Sequence, residues 1–517
     1  MIVLTFLATF LAIGLVSFVI YLKWSFTYWI RRNVFTFPTS LPFGNAKDQF
    51  LQRASIAKAT VDIYREVKAR GLRYGGLHFM FQPIFVPTDP ILLRQMLSVD
   101  FQHFTDHVDY VNEYDDPLTG NLFTLRGAKW KAMRSKMASF FSSGKMKLMF
   151  QTMVDCTKEL PNVLDAAILK KEAVDVKEIF SRYTIDIISS VIFGIEGNCL
   201  KDSDSDFRKF GKLAVAPTGL DAFKVFLIQI IPNIMETLRV TVTSKDVEYF
   251  FMNIVKQTIA FRDANNVDRK DFMQLFMKLR DEDIKATTKT DNNESRDGET
   301  VYYQCGLTVN EIAAQAFIFY VAGFETSATT LQYLLYELTE NQDIQDKVRE
   351  EIEQVLGKHE KKITYEAIQE MTYLDKCIYE TLRKYPPVPA VTRRCTKEYK
   401  VPDSDLTLEK GTVAMLPIYG IHHDPDYYPD PQIFEPERFS EENKSVRPPM
   451  TFLAFGEGPR MCIGLRLGIL QAKVGLVAVL KDYKFTLNSR TITPLQFDPT
   501  QFILAPVGGI WTDVEKL

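Results

Sequence analysis

The 517-residue chain lacks the marks of several protein classes. Lysine and arginine (62) do not outnumber aspartate and glutamate (65), so the basic excess that nucleic-acid binding needs is missing and no nucleic-acid partner is expected. The six cysteines are far apart, in no CxxC or Cys/His pair spacing, which argues against a disulfide scaffold or a zinc module. No GxGxxG follows a strand-like stretch, so a nicotinamide- or flavin-binding motif is also lacking. A hydrophobic content of 46% nevertheless predicts a packed globular protein.

The first 22 residues contain no charged side chain. About 20 apolar residues suffice for a helix to cross a bilayer, so this segment predicts a membrane span. Lys23, Arg31 and Arg32 follow it and predict a cytosolic location for the rest of the chain. A cleaved signal peptide is the alternative, but its positive charges would precede a shorter apolar stretch. The predicted organisation is a signal anchor at residues 1–22, a short extended linker at 23–45 and a catalytic domain at 46–517.

Apolar residues recur at helical spacing through most of the remaining chain. Strand-like stretches are few and short, at residues 77–81, 83–87, 412–418 and 502–506. This pattern predicts a mainly α fold with small β-sheets. The hydrophilic stretch from Arg280 to Thr300 has no apolar periodicity and is predicted to be a surface loop between two helices.

A long helix is predicted from the capping box at Thr308 and Glu311, where each side chain can satisfy a backbone N–H of the first turn. It continues to Asn341, about 30 residues or about 45 Å. Glu325 is the only charged residue between Glu311 and Glu337, so the helix is expected to be buried on most sides.

The carboxylate of Glu325 adjoins the Thr326 hydroxyl and the small residues Ala322 and Gly323. The small side chains could make room for a flat group, and the acid–alcohol pair could relay protons beside it. The alternative is a glycine that serves helix packing and a glutamate that reaches out to water.

A second candidate site is the glycine-rich loop FLAFGEGPRMCIG, residues 452–464. Cys462 is predicted at the entrance of the following helix, with Arg460 two residues before it, and both features favour a thiolate. One thiolate without partners at metal-ligand spacing is a poor zinc site, but it suffices as an axial ligand of a haem iron. The other cysteines are interpreted as small hydrophobic residues.

Five motifs, in this order and spacing, give the chain a family resemblance. They are WKAMR (130–134), AGFET (322–326), ETLR (380–383), PERF (436–439) and the loop FLAFGEGPRMCIG. The chain resembles the microsomal cytochromes P-450 over about residues 38 to 517. Further segments such as LRKYPPVP and IHHDPDYYPDP resemble the insect xenobiotic-metabolising sixth family. One departure is the segment FPTSLPFGN, which has fewer prolines than is usual in the family. The resemblance implies the cytochrome P-450 fold with an N-terminal transmembrane helix.

The resemblance also implies a haem b cofactor and a role for each motif residue. Cys462 is the expected iron ligand and Phe455 is expected to shield its sulfur. The expected ligands of the haem propionates are Arg460, Arg393, Arg134 and Trp130. Ala322 and Gly323 are expected to let the porphyrin approach, Glu325 and Thr326 to deliver protons to bound oxygen, and Glu380, Arg383 and Arg438 to form a buried structural charge network. The expected substrate-pocket residues are Phe317, Ala322, Val388, Ala390 and Phe502.

The implied activity is insertion of one oxygen atom from O2 into hydrophobic small molecules. These are xenobiotics such as insecticides or plant toxins, or endogenous hormones or lipids. Electrons are expected from NADPH through NADPH-cytochrome reductase, with cytochrome b5 as a further candidate donor. A set of lysines could bind the reductase or could simply form a solvated helix face: Lys129, Lys131, Lys136, Lys145 and Lys147.

The expected location is the endoplasmic reticulum membrane, crossed once, with the catalytic domain in the cytosol. The apolar stretch Phe226 to Met235 is too short to span and could either dip into the same membrane face or form a core helix. Two alternatives to a monooxygenase remain open: a non-catalytic haem-thiolate sensor and a reductase-independent haem-thiolate isomerase. The intact pair Glu325–Thr326 argues against both.

Overall fold

The computed structural model describes residues 2–287 and 306–517. In these residues the helices are α1 (Ile2–Ser25), α2 (Lys47–Phe50), α3 (Ile56–Ala69), α4 (Pro90–Arg94), α5 (Gly127–Ala138), α6 (Ser143–Asp155), α7 (Leu160–Lys170), α8 (Val176–Ile188), α9 (Asp206–Val215), α10 (Gly219–Ile230), α11 (Pro232–Thr237), α12 (Lys245–Asn265), α13 (Phe272–Thr287), α14 (Val309–Glu340), α15 (Gln342–Lys358), α16 (Tyr365–Glu370), α17 (Thr372–Lys384), α18 (Ile418–His422), α19 (Glu441–Val446) and α20 (Leu465–Leu480). The strands are β1 (Tyr74–Phe79), β2 (Gln82–Pro87), β3 (Val174–Asp175), β4 (Val391–Arg394), β5 (Tyr399–Lys400), β6 (Thr407–Leu408), β7 (Val413–Leu416), β8 (Tyr483–Leu487) and β9 (Trp511–Lys516). The predicted class, mainly α with small sheets, is confirmed.

The strands form small sheets that are mostly antiparallel. One has the order β1-β2-β7-β4, in which only the β2–β7 pair is parallel. The others have the orders β3-β9-β8 and β5-β6. Three of the four strand-like stretches lie in the first sheet, but residues 502–506 form no strand, and near them only Phe497 and Pro506 make an isolated bridge.

The chain divides into two compact units. The first contains Met1–Val108, Tyr379–Cys462 and Thr493–Val507, and the second contains Asp109–Ile378, Ile463–Ile492 and Gly508–Leu517. The core of the first unit lies around the four-stranded sheet, where Trp29, Phe85 and Phe104 are fully buried.

The segment at residues 23–45 differs from the extended linker that the sequence suggested. Helix α1 continues to Ser25, a 3-10 helix follows at Ile30–Arg32, and the indole of Trp29 lies in the core of the first unit. The physical reason is the aromatic content of WSFTYWI, since large rings gain more from burial than from exposure in a linker.

Helix α14 runs through the second unit and packs against α8, α12, α20 and β8. It begins with the predicted capping box, in which Glu311 N donates to Thr308 Oγ1 and Thr308 N donates to Glu311 Oε2. Aromatic rings of Phe193, Phe207 and Phe251 surround Tyr320 on its buried side. The expectation of a long helix buried on most sides is confirmed.

Two described regions are long and apolar enough to cross a membrane, residues 2–32 and 206–230. The first is consistent with the predicted anchor. The second consists of α9 and α10, of 10 and 12 residues, and each is too short to cross alone. Helix α10 has no buried residue and exposes Leu220 and Phe223, which favours the membrane-facing interpretation of this region over a core helix.

The hydrophilic stretch that begins at Arg280 starts as the last two turns of α13 rather than as a loop. Its part from residue 288 onward lies outside the described residues.

Candidate functional site

The loop of Cys462 belongs to the first unit and is shaped by glycines. Gly458 has a φ of +73°, and a Cβ there would overlap the carbonyl oxygen of Leu97, so this position requires glycine. The backbone N–H of Cys462 donates to the carbonyl oxygen of Phe455 at 2.8 Å, which folds the loop back on itself. The side chain of Cys462 is exposed and lies three residues before the start of α20.

The other described cysteines are in contrasting environments. Burial raises the pKa of the Cys156 and Cys199 thiols to about 12 and that of Cys395 to about 11. Cys377 is buried as well. These positions suit small hydrophobic side chains, whereas Cys462 is accessible to a ligand. Cys305 lies beyond the described residues.

Two buried guanidinium groups flank His107 in the first unit. Arg393 Nη1 donates to His107 Nε2 at 3.1 Å, so this imidazole nitrogen carries a lone pair. Burial, assisted by the charges of Arg393 and Arg460, holds the pKa of His107 well below 6.5. Arg460 Nε donates to Thr105 O at 2.7 Å, and its Nη2 lies 3.9 Å from Asp106 Oδ1. Two buried cations around a neutral imidazole suit a bound carboxylate such as a haem propionate.

Trp130 and Arg134 lie on α5 in the second unit, four residues apart and therefore on one helix face. Trp130 is buried and Arg134 is half-buried. An indole N–H and a guanidinium both donate to carboxylates, so this face can also hold a propionate.

Glu380, Arg383 and Arg438 form a buried charge network in the first unit. Arg383 Nε and Nη2 donate to the two carboxylate oxygens of Glu380 at 2.7 and 2.8 Å, and both side chains are fully buried. Arg438 Nε lies 3.4 Å from Glu380 Oε1, which also accepts the backbone N–H of Glu435. The paired geometry compensates for the loss of hydration of these charges.

His422 is a site residue that the sequence analysis missed. Its Nδ1 donates to Arg383 O at 3.0 Å, and its Nε2 accepts the backbone N–H of Leu453 at 2.8 Å. Burial, more than any neighbouring charge, holds its pKa well below 6.5, so the ring is neutral and can make both contacts. His422 thus connects the charge network to the start of the Cys462 loop. The segment IHHDPD that contains it shows a family resemblance but has no spacing that indicates these contacts.

Glu325 is paired with a lysine that the sequence analysis also missed. Lys177, on α8, donates to Glu325 Oε1 at 2.7 Å and to Thr329 Oγ1 at 2.7 Å. Burial lowers the pKa of Lys177, and the charge of Glu325 partly offsets this effect. The carboxylate is therefore held by a cation instead of simply reaching out to water.

Ala322 and Thr326 lie one turn apart on the accessible side of α14. Thr326 Oγ1 donates to Ala322 O at 2.7 Å, which leaves the hydroxyl oxygen able to accept a hydrogen bond. Gly323 faces another way, because a Cβ there would lie 2.7 Å from Ile188 Cδ1 on α8. The geometry favours the packing interpretation for Gly323 and leaves Ala322 as the small residue beside Thr326.

The expected pocket residues are divided between the units. Val388 and Ala390 are half-buried just before β4, and Leu504 N donates to Pro387 O at 2.9 Å, which brings the segment of the exposed Phe502 alongside them. Phe317, on α14 in the second unit, packs edge-on against Phe251 at a centroid distance of 5.0 Å.

The expected site residues thus fall into two sets. The first unit holds Cys462, Phe455, Arg460, Arg393, Glu380, Arg383, Arg438, Val388, Ala390 and Phe502, and the second holds Trp130, Arg134, Phe317, Ala322, Gly323, Glu325 and Thr326. In the described chain, no group of three or more His, Cys, Asp or Glu side chains could hold a metal ion. An exposed thiol together with carboxylate-binding cations instead fits a haem held by one axial cysteine.

Comparison with known proteins agrees with this geometry. The family model described as Cytochrome P450 matches residues 49–512. The chain is 38% identical to "Probable cytochrome P450 6a14" of Drosophila melanogaster over 98% of this chain and 99% of that relative. It is also 38% identical to "Cytochrome P450 6a2" of the same organism, over 99% of this chain and 100% of that relative. The resemblance to the insect sixth family is confirmed, and with it the haem-thiolate cofactor. The chain therefore belongs to the cytochrome P450 family and is a monooxygenase.

Proposed function

We propose that this monooxygenase inserts one oxygen atom from O2 into hydrophobic small molecules, foreign compounds foremost, with electrons from NADPH through a membrane-bound reductase. The proposal is supported above all by the accessible pair Ala322–Thr326 beside the Lys177–Glu325 ion pair, which provides a hydroxyl and a proton source on one stretch of α14. The expected pocket residues Phe317, Val388 and Phe502 are apolar, in keeping with a hydrophobic substrate.

The haem supplies the oxygen-activating chemistry when it is bound. Cys462 provides the anionic sulfur ligand, and the half-buried ring of Phe455 limits access of water to it. In the first unit Arg393 and Arg460 would hold a propionate carboxylate, and in the second unit Trp130 and Arg134 offer donors of the same kind. Because Arg393 and Arg460 are fixed by their own hydrogen bonds to Thr392 O and Thr105 O, they would orient the cofactor before substrate arrives.

Proton delivery is assigned to three side chains of the second unit. Thr326 presents its hydroxyl oxygen as an acceptor, since its proton is directed at Ala322 O. Glu325 would accept a proton from solvent water and pass it on to a water molecule at the site, which returns it to the carboxylate form, and Lys177 holds that carboxylate in one position. Lys177 is a positioning residue, because it acts through the carboxylate.

Lysines on α5 and α6 are proposed to bind the acidic face of the reductase, with cytochrome b5 as a second donor. Lys129 is paired with Glu113 at 2.9 Å, and Lys147 with Glu366, which weakens their contribution. Lys131 is exposed and Lys145 is half-buried. We expect these two lysines to contribute most to the charge complementarity.

Helix α1 is proposed to cross the endoplasmic reticulum membrane once and to leave the catalytic units in the cytosol. Its residues from Ile2 to Tyr21 are uncharged, mostly apolar and almost all exposed. The basic residues Lys23, Arg31 and Arg32 follow the span on its cytosolic side.

Reconstitution with purified reductase tests the function. NADPH consumption and product formation are measured together across a panel of apolar compounds, with and without reductase. Product that requires both NADPH and reductase is the expected result. Product without either one would indicate an isomerase, and compound binding without any product would indicate a sensor.

A further inference from the structure

Helix α1 enters the core of the first unit. Leu22, Ser25 and Phe26 are buried although they directly follow the exposed apolar span. Ser25 Oγ donates to Phe81 O at 2.6 Å, which ties the helix to the turn between β1 and β2. The helix end is thus attached to a sheet of the first unit.

The indole of Trp29 strengthens this attachment. It is fully buried, and its Nε1 donates to Leu77 O in β1 at 3.0 Å. A Cβ at Gly76 would overlap the indole ring, so the ring lies flat against the strand where glycine leaves room for it. A ring that is both hydrogen-bonded and enclosed leaves little freedom for a hinge at this point.

The length of α1 sets the depth of these contacts. From Ile2 to Leu22 the rise is about 30 Å, which matches the hydrocarbon thickness of about 30 Å, so a spanning α1 puts the boundary of the apolar layer near Lys23. Phe81 contacts the helix on both sides of that boundary. Its ring centroid lies 6.3 Å from that of Tyr21, and its carbonyl oxygen accepts the hydrogen bond from Ser25 Oγ. If α1 spans the bilayer as proposed, the β1–β2 turn lies at the depth of the lipid headgroups.

The residues at this depth suit that layer. Tyr21 and Trp24 are exposed aromatic residues, and the Arg31 guanidinium lies 4.4 Å from the centroid of the Trp24 ring. Met80 and Phe81 are half-buried at the turn. Aromatic residues favour the membrane interface, and cations there attract anionic headgroups.

We propose that Tyr21, Trp24, Arg31, Met80 and Phe81 form an interfacial collar whose partner is the headgroup layer of the bilayer. We further propose that Trp29 fixes this collar to the span, so that the first unit meets the membrane at one angle instead of swinging on a linker. The surface continues directly from the span, which argues for lipid as its occupant. This inference rests on the anchoring part of the proposed function.

Distance measurement between spin labels tests the fixed angle. The full-length haem-loaded protein is placed in nanodiscs of phosphatidylcholine and phosphatidylserine, with labels attached to ketone-bearing residues at Leu15 in the span and Asp62 on α3, since the native cysteines must stay intact. A single narrow distance peak is expected for the parent protein and for Ile30→Ala, whose side chain is exposed. A broad distribution in the parent protein would overturn the proposal.

Variants of the attachment sharpen the test. Trp29→Ala is expected to lose the single peak. Because it also removes a core ring, Ser25→Ala provides a milder second variant, which breaks only the hydrogen bond to Phe81 and is expected to broaden the peak. A peak unchanged in both variants would show that these contacts do not fix the angle.

Depth is measured separately with a label at Phe81. Power saturation is expected to show access to oxygen and protection from a water-soluble nickel complex, while a label at the exposed Asp403 shows the reverse. Nickel access at Phe81 would overturn the collar. If the protein fails to float with vesicles, the proposed anchoring fails; if it floats but the distances are broad, only the fixed angle fails.

Discussion

Lys177 directs three hydrogen bonds at two residues of helix α14. They reach Glu325 Oε1 at 2.7 Å, Glu325 O at 3.3 Å and Thr329 Oγ1 at 2.7 Å. An ammonium group has three donors, so all of them are engaged in one direction. The carboxylate of Glu325 is consequently held by a contact from α8, and its position depends on the charge of Lys177.

Replacing Lys177 by methionine is expected to lower the product formed per NADPH and to raise hydrogen peroxide, because the carboxylate loses the cation that positions it. Lys177→Arg keeps a cation and is the matched control. Product and peroxide are measured in the reconstituted system at fixed NADPH. Equal product per NADPH in the parent protein and Lys177→Met would show that the ion pair has no part in proton delivery.

The same pair predicts a pH dependence. Burial lowers the pKa of Lys177 below the ordinary value of 10.5, so the ammonium loses its proton at a lower pH than an exposed lysine. The ion pair is present below that pKa and is lost as the pH rises through it. Product per NADPH is expected to fall on the alkaline side, and Lys177→Arg is expected to abolish this fall because arginine stays protonated.

Thr326→Ala is expected to leave the haem bound but to divert electrons into hydrogen peroxide, because the accessible hydroxyl is lost. Thr330→Ala is the matched control, since Thr330 Oγ1 makes the same type of bond one turn later, to Thr326 O at 2.9 Å, from a buried position. Haem content and peroxide per NADPH are the readouts. Similar peroxide yields from the two variants would contradict a specific role for Thr326.

Glu380→Gln is expected to destabilise the fold by about 3–5 kcal/mol, because the fully buried Arg383 would keep its positive charge without the paired carboxylate. The free energy of unfolding in urea, with haem content measured in parallel, checks this. Glu441→Gln removes an exposed carboxylate that pairs with Lys444 and is expected to leave stability nearly unchanged. Equal stability of both variants would contradict the structural role of the Glu380 network.

The sequence predicted those parts of the site in which spacing along the chain sets the geometry. The capping box at Thr308 and Glu311 and the pair Glu380–Arg383 each lie within one helical turn, so residue type and spacing suffice. Lys177 and Glu325 are 148 residues apart, and no local pattern connects them. Their contact depends on how α8 packs against α14, which only the folded chain determines.

Gly323 and Trp29 show a second kind of limit. A glycine in an apolar helix indicates that another group packs closely against the helix, but the sequence does not identify that group. At Gly323 the group is the side chain of Ile188. Pro38, Pro42 and Gly44 in the segment FPTSLPFGN predict a linker, while the earlier aromatic segment WSFTYWI is typical of buried chain. The boundary between a membrane span and a folded domain is therefore hard to predict from sequence when the spanning helix continues directly into the domain core.

Cys462→Ser is expected to abolish the red-shifted Soret band of the reduced carbon monoxide adduct, because a hydroxyl cannot supply a polarizable anionic sulfur. Cys395→Ser is the matched control, since that side chain is fully buried in the core of the first unit. Absorption spectra of the reduced, carbon monoxide-treated proteins provide the measurement. Retention of the band in Cys462→Ser would refute the axial-ligand assignment.

The topology of the chain predicts that two N-x-S acceptor sites stay unmodified. Asn443 lies on the exposed helix α19, where its Nδ2 donates to Glu437 O at 2.7 Å, and Asn293 lies outside the described residues. With Lys23, Arg31 and Arg32 on the cytosolic side, neither site meets the lumenal glycosylation machinery. Expression in microsomes followed by glycosidase treatment is therefore expected to leave the electrophoretic mobility unchanged. A mobility shift that Asn293→Gln or Asn443→Gln removes would place the catalytic units in the lumen, where a cytosolic reductase could not reach the lysines of α5 and α6.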